Sequence, residues 1–257
     1  MPDHRPPLLA HEWIAGLEKG LGVIEAFDAD HPRMTATEAG ARCGMTRTAA
    51  RRYLKTLAHL GYVGTDGKLY WLMPRILRLG HAFIESARLP RLVQPYLQRI
   101  TSGTEEVAYL GVLDGDDTIF LARSGSPRHT SAGYWPGTRV PAQVTAAGMA
   151  ILASLPEPEM DAWLQGRHMP AFTSYTLADP QRLRTALMEY RRRGWALSEQ
   201  QLELNYRGVA VPLLDRHNAV HGAISITMPI NREETDHALI RVLPVMQEVA
   251  RNLRTLL

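Results

Sequence analysis

Residues 46–63 read TRTAARRYLKTLAHLGYV, and four cations share this stretch with no acid. Arg47, Arg51 and Lys55 recur every fourth residue, so on a helix they line one face, with Arg52 beside them. Ala50, Tyr53, Leu54, Leu57 and Leu60 form a second, apolar stripe. Most charge runs are simply solvated faces, but those usually mix both signs. A face of one sign suits a polyanion. On double-stranded DNA such a helix would sit in the major groove, its N-terminal residues at base edges and its flanking cations at phosphates. Thr46, Arg47, Thr48 and Arg51 are the candidates for groove contacts, and Arg52 and Lys55 for backbone contacts. An arginine that holds guanine O6 and N7 bidentately contributes ~1–3 kcal/mol of discrimination.

A second stretch, TAAGMA at 145–150, places small residues at a helix start. Unpaired N–H groups and the helix dipole favour an anion there. Small residues at such a position also serve close packing alone.

Other chemistry is thinly represented. His217 and His221 are spaced H-x-x-x-H, but that spacing shares a face only on a helix, and here it straddles a hairpin turn. Cys43 is the only cysteine, which excludes an intrachain disulfide and a cysteine zinc cluster; it reads as a small residue buried in a turn, with a redox sensor as the alternative. Glu105 and Glu106 are adjacent, so on a strand they point to opposite faces. No G-x-S-x-G, phosphate-cradling loop or paired-carboxylate signature is present. An enzyme fused to a DNA-binding module is therefore the rival reading, and a module docking an acidic protein is a third. No metal or cofactor is expected.

Positioning these groups requires two modules. The 257 residues suffice for two domains, with 45% apolar and 21% charged residues, as in globular chains. Residues 1–78 hold 11 Lys/Arg against 8 Asp/Glu, while the remaining 18 of each cancel, so the whole +3 excess lies in the first third. A basic leading module joined to a neutral one suits a DNA-binding protein with a sensing domain. No apolar run approaches the ~20 residues of a membrane span, and the opening MPDHRPPLLAHEWIAG lacks a signal-peptide core. A reducing cytoplasm is the expected compartment.

The first helix is expected over GLEKGLGVIEAF, with Leu17, Leu21, Ile24 and Phe27 on one side, broken by Pro32. Thr35 and Glu38 have capping-box spacing for a short helix ending by Gly44. Thr46 caps the basic helix, which ends at Gly61. YVGTDGKLYWL then reads as two strands around Asp66-Gly67, with Lys68 at the tip in reach of a phosphate or the minor groove. Helix, short helix, basic helix and hairpin together form a winged helix-turn-helix pattern. Pro74 opens a connecting helix carrying Ile76, Leu79, Phe83 and Ile84, followed by a shorter helix after Pro90. From about residue 105 the period becomes two: a strand pair at 105–125, a loop over GYWPGTRVPA, helices from Thr145, over PEPEMDAWLQ and after the cap Asp179, and strands in WALSEQ and GVAVPLLDRHNAVHGAISITM. A last helix, about 233–257, is expected to kink at Pro244.

LEKGLGVIEAF, TRTAARRYLKTLAHLGYV, RILRLGHAF, PAQVTAAGMAILA and ELNYRGVAVPL…HGAISIT stand in one order over residues 17–227. In these motifs the chain resembles the IclR family of bacterial transcriptional regulators. TRTAARRYLKTLAHLGYV and GTRVPAQVTAAG are most similar to the branch controlling catabolism of aromatic acids, of the protocatechuate and 4-hydroxybenzoate type. The resemblance implies an α+β chain: a winged helix-turn-helix domain over 1–73 with an N-terminal extension 1–14, a linker helix over 74–90, and an effector domain over 91–257 with a GAF-like antiparallel sheet flanked by helices. It implies promoter DNA and a small carboxylate as partners, and dimers or tetramers to which Trp13 and the linker helix contribute. Carried over by position, Ala146 and Ala147 would offer main-chain N–H groups to the carboxylate, with Gly208, Ser225 and Thr227 on the facing sheet wall. Ser198 stands where some relatives have Asp, Gly208 where many have Ser or Cys, and Gln201 replaces a frequent Glu, whereas Glu203 is retained; the pocket should be roomier and less repulsive, compatible with a ring-bearing acid. Arg123, Tyr109, Tyr134 and Trp135 are candidates to meet a ring or second carboxylate, with core packing the alternative for the aromatics.

Overall fold

The computed structural model describes residues 8, 9, 11–125 and 133–257; of the extension 1–14, residues 1–7 and 10 lie outside them. The chain divides into two compact units between Ser86 and Ala87.

The first unit contains α1 (Ala15–Glu25), β1 (Met34–Thr35), α2 (Ala36–Arg42), α3 (Arg47–His59), β2 (Val63–Thr65), β3 (Leu69–Leu72) and α4 (Leu77–Ser86). The Thr35–Glu38 capping box forms with both reciprocal bonds, and the Thr46 hydroxyl accepts the N–H of Ala49 to start α3. Beyond the expected hairpin, two residues of β1 pair with β3, giving the strand order β1-β3-β2. Val23, Met34, Ala39, Ala50 and Leu54 form the fully buried centre. The α1 stripe is corrected here: Leu17 and Leu21 are exposed, and the helix buries Val23 instead. Ile24 and Phe27 pack against the core, although Phe27 lies beyond the helix end. Leu60, past the end of α3, is also exposed. α1 thus has two apolar faces, Leu17 and Leu21 lying on the outer one, and the exposed Trp13 and Ile14 precede the helix. Leu79 and Phe83 of α4 are exposed; the Ile84 side chain lies outside the described set.

The second unit is built on an antiparallel six-stranded sheet, ordered β6-β5-β4-β9-β8-β7. The strands are β4 (Val107–Asp114), β5 (Asp117–Ser124), β6 (Arg139–Pro141), β7 (Ala196–Glu199), β8 (Tyr206–Leu214) and β9 (Val220–Pro229). Residues Ile224, Ile226, Val209 and Leu110 face α5 (Arg88–Thr104) and α9 (Thr235–Leu253). Tyr109, Phe120, Ala210 and Ala223 belong to the core on the other face, with α6 (Ala146–Ser154), α7 (Glu157–Leu164) and α8 (Pro180–Arg193). That division follows the two-residue alternation of strands. Asp179 caps α8 by accepting the N–H of Arg182 at 2.8 Å.

Two expectations change in this unit. The segment expected as a short helix after Pro90 is a 17-residue helix from Arg88, with Pro95 inside it. Pro90 falls in the first turn, where a missing N–H costs no intrahelical bond. The stretch expected as a loop contributes β6, three residues at the sheet edge beside β5. The last helix runs from Thr235 to Leu253 with Pro244 inside it. No helix among the described residues is long and apolar enough to cross a membrane.

Candidate nucleic-acid interface and effector cavity

Helix α3 buries Ala50, Leu54 and Leu57 and leaves Arg47, Thr48, Arg51, Arg52 and Lys55 exposed. None of these four cations has an ion-pair partner among the described residues. Tyr53 is half-buried and packs toward α1, close to Gly16 and Gly20, so it belongs to the core rather than the outer face. At the wing tip the Asp66 carboxylate accepts the N–H groups of Lys68 and Leu69 at 2.9 and 2.8 Å. These two bonds hold the Asp66 carboxyl below its usual range and leave the Lys68 side chain outward and exposed. The unit therefore presents a helix of unspent cations and a hairpin carrying another. Cys43 lies at the end of α2, its thiol donating to the Gly22 carbonyl at 3.5 Å and pushed up in pKa by burial.

In the second unit a cavity of about 500 Å³ opens between the start of α6 and the sheet. Tyr109, Ala146, Ala147, Ser198, Gly208, Ser225 and Thr227 all line it. The Thr145 hydroxyl caps α6 by accepting the N–H of Gly148 at 3.0 Å and pairs with the Thr118 hydroxyl at 2.9 Å. The N–H groups of Ala146 and Ala147 remain without a hydrogen-bond partner among the described residues. Ser198 donates to the Val144 carbonyl at 2.6 Å, so its hydroxyl proton is already committed. A Cβ at Gly208 would stand 3.2 Å from that of Ala146.

The side wall is aromatic. Phe120 stacks on Tyr134, with centroids 4.3 Å apart and planes 6° off parallel, and Tyr109 meets Phe120 edge-on at 5.4 Å. Tyr134 reaches this position because Gly133 has φ +115°, and a Cβ there would fall 1.8 Å from the Tyr109 hydroxyl. Burial first, then Tyr109 and Glu203, push the Tyr134 phenol up to about 12, and burial raises Tyr109 as well. Both phenols therefore stay neutral.

Arg123 does not line the cavity. Its guanidinium lies 4.4 Å over the Trp135 ring and 5.9 Å from Tyr109, with one terminal nitrogen buried and unbonded among the described residues. Trp135 is exposed. Sequence reasoning missed Phe120, which the β4–β5 register sets opposite Gly111, and the charged rim of Glu106, Arg207 and Arg232. Arg207 is spent on Glu199 at 2.6 Å and Thr235 at 2.7 Å, and Glu106 receives Arg241 at 3.0 Å. His221 meets Asp215 at 3.1 Å, whereas His217 engages the same residue through its main-chain N–H. No group of three metal-ligating side chains exists among the described residues.

A winged helix-turn-helix with unpaired cations, joined to an antiparallel sheet domain with helices on both faces and a cavity at the start of α6, defines a ligand-responsive regulator. Residues 16–67 match the IclR helix-turn-helix domain and residues 81–255 the C-terminal domain of the bacterial transcriptional regulator IclR, so the chain belongs to the IclR family. It is a DNA-binding transcriptional regulator. It is 34% identical to the Pca operon regulatory protein of Acinetobacter baylyi, covering 97% of this chain and 92% of that one. It is 33% identical to the p-hydroxybenzoate hydroxylase transcriptional activator of the same organism, over 99% and 96% of the two chains. Among solved structures, a double mutant of the PobR inducer-binding domain from Acinetobacter, complexed with 3-hydroxybenzoic acid, superposes with a TM-score of 0.62 at 27% identity, covering 66% of this chain and all of that one.

Proposed function

We propose that this regulator controls genes of aromatic-acid catabolism and that its effector is a ring-bearing carboxylate held in the α6 cavity. The observation carrying this reading is the pairing of two unspent N–H groups with an aromatic wall in one cavity. The carboxylate accepts from Ala146 and Ala147 at the positive end of the helix. Ser225 and Thr227 complete that end, Gly208 leaves room for the ring, and Tyr109, Phe120 and Tyr134 enclose it. The relatives that name an aromatic compound or its degradative operon support the same chemistry.

On the DNA side, Thr46, Arg47, Thr48 and Arg51 read base edges while Arg52, Lys55 and Lys68 meet phosphates. Residues 1–73 then act as reading head, 74–90 as linker and 91–257 as sensor. One head makes few contacts, so two copies associate through the outer strip of α1 and the linker to occupy paired half-sites. Effector binding biases the sensor between conformations that space the heads differently. A thermal-shift series tests the effector reading: 4-hydroxybenzoate, protocatechuate and benzoate raise the melting temperature, whereas the neutral 4-hydroxybenzyl alcohol does not. Equal shifts with acid and alcohol would remove the carboxylate from the argument.

A further inference from the structure

The wing carries a cation that the recognition-helix pattern does not reach. Arg33 precedes β1, the two-residue strand that joins the wing by pairing Met34 with Tyr70 and Thr35 with Leu69. Continuing that antiparallel register sets Arg33 opposite Trp71, and its guanidinium lies 4.5 Å over the Trp71 ring. Trp71 in turn pairs with Gly64 of β2. A Cβ at Gly64 would come within 2.5 Å of the indole nitrogen and 2.9 Å of the Met73 sulfur. Only glycine leaves space for the indole to lie across the strand. Two strand residues and the residue preceding a third strand thus form one stack: a bare backbone, an indole on it, and a guanidinium on the indole.

The stack fixes Arg33 without spending its charge. The side chain is exposed and has no ion-pair partner among the described residues. The Asp66 carboxylate at the wing tip feels the Arg33 charge only weakly, after its own bonds to the Leu69 and Lys68 N–H groups. The β1–β3 register, Thr35 with Leu69 and Met34 with Tyr70, places Arg33 beside Trp71 on the body of the hairpin rather than at its turn. A guanidinium face stacked on an aromatic keeps its in-plane N–H edge available, the geometry that grips a phosphate in two places.

We propose that Arg33, held on the Trp71–Gly64 platform, is a DNA-backbone contact that extends the footprint from α3 onto the wing. This rests on the reading that α3 enters the groove. The contact is to phosphate and independent of base sequence. Its loss should weaken specific and random duplexes alike and reduce the salt dependence, unlike loss of a base-reading arginine.

The test uses the full-length protein and two duplexes: one recovered by in vitro selection with the wild-type protein, and one of random sequence. Fluorescence anisotropy is recorded from 50 to 300 mM KCl. Arg33→Ala is expected to bind both duplexes about threefold to tenfold more weakly, and to reduce the slope of log K against log salt by about 0.9 for each head engaged. Arg33→Lys, which keeps the charge but not the fork, should recover the slope and only part of the affinity. Arg47→Ala should lose the selected duplex far more than the random one. Melting curves separate a structural role: a lowered melting temperature for Arg33→Ala with wild-type affinity and slope overturns the proposal. So does wild-type behaviour in every readout. If the wild type retains no duplex, the DNA reading itself has failed; if Arg47→Ala is impaired and Arg33→Ala is not, only the wing contact has.

Discussion

At the scale of single residues, the cavity depends on groups that are absent as much as on those present. Gly133 is the sharpest case, because both its φ of +115° and the nearness of the Tyr109 hydroxyl exclude a side chain. Gly133→Val should destabilise the effector domain by about 2 kcal/mol, within the ~1–3 kcal/mol of a strained backbone position, as read from urea midpoints. Effector affinity should fall with it, since Tyr134 can no longer lie on Phe120. The main-chain donors can be tested just as directly. Thr145 is extended, with φ −100° and ψ 140°, a conformation that accepts a following proline. Ala146→Pro would then keep the helix, since proline suits its first position, while deleting one N–H. A hydrogen bond to a charged group contributes ~1.5–3 kcal/mol, so titration calorimetry should show carboxylate affinity falling by at least about tenfold. Unchanged affinity would move the anion elsewhere in the cavity. Most of these residues were legible: TAAGMA announces a helix start of small residues, and Ser225 and Thr227 sit two apart on a strand. Phe120 was not, because its place depends on a bulge between Leu110 and Gly111 that shifts the β4–β5 register. Arg123 pairs with Tyr109 in the regular part of that register, and its guanidinium turns to Trp135, a side-chain choice that strand periodicity does not contain.

At the scale of elements, capping patterns were read correctly and burial faces less so. Thr35, Thr46 and Asp179 each cap as their spacing implies, because a cap is a local bond between residues three apart. The outer face of α1 and the length of α5 depend on what packs against them, which no local window contains. The same holds for the ion cluster at the end of the sheet. Arg241 of α9 donates to Glu106 before β4, to Glu233, and to the Thr104 carbonyl at the end of α5. Its partners lie up to 137 positions away in sequence. Glu106 is 5% exposed, so Arg241→Met would leave this buried carboxylate only the longer 4.0 Å pair with Arg232, at a cost of up to roughly 3 kcal/mol. The pH dependence has a definite sign. The hydrogen bond from Arg241 holds Glu233 below its ordinary 4.5, so the folded state binds this proton less readily than the unfolded chain does. Its contribution is complete above about 4.5 and disappears as pH falls through the lowered folded value. The stability gap between wild type and Arg241→Met should be widest at neutral pH and narrow below about pH 4.5. A gap constant from pH 7 to pH 3.5 would show that the Glu233 carboxylate is not what the arginine stabilises.

At the scale of the whole molecule, one apolar strip has no counterpart among the described residues of its own unit. Leu17 and Leu21 lie one turn apart on α1, and Trp13 and Ile14 just before its start continue the spacing, with exposures between 46% and 69%. A folded chain does not gain by holding four large apolar side chains in water. A second copy presenting the same strip would bury both at once, the self-complementary contact of a two-fold dimer. Two heads would then share one duplex, and the second binding event becomes intramolecular. Leu17→Asp combined with Leu21→Asp places two carboxylates in that contact while leaving Val23 and the rest of the inner face untouched. Light scattering should show the variant at the monomer mass and the wild type at a multiple of it. Affinity for the selected duplex should fall by at least about tenfold, because each head now binds alone. The melting-temperature rise produced by an aromatic carboxylate should persist, since no residue of the α6 cavity is altered. A variant that keeps wild-type mass and wild-type affinity would show that the strip serves neither self-association nor paired recognition of DNA.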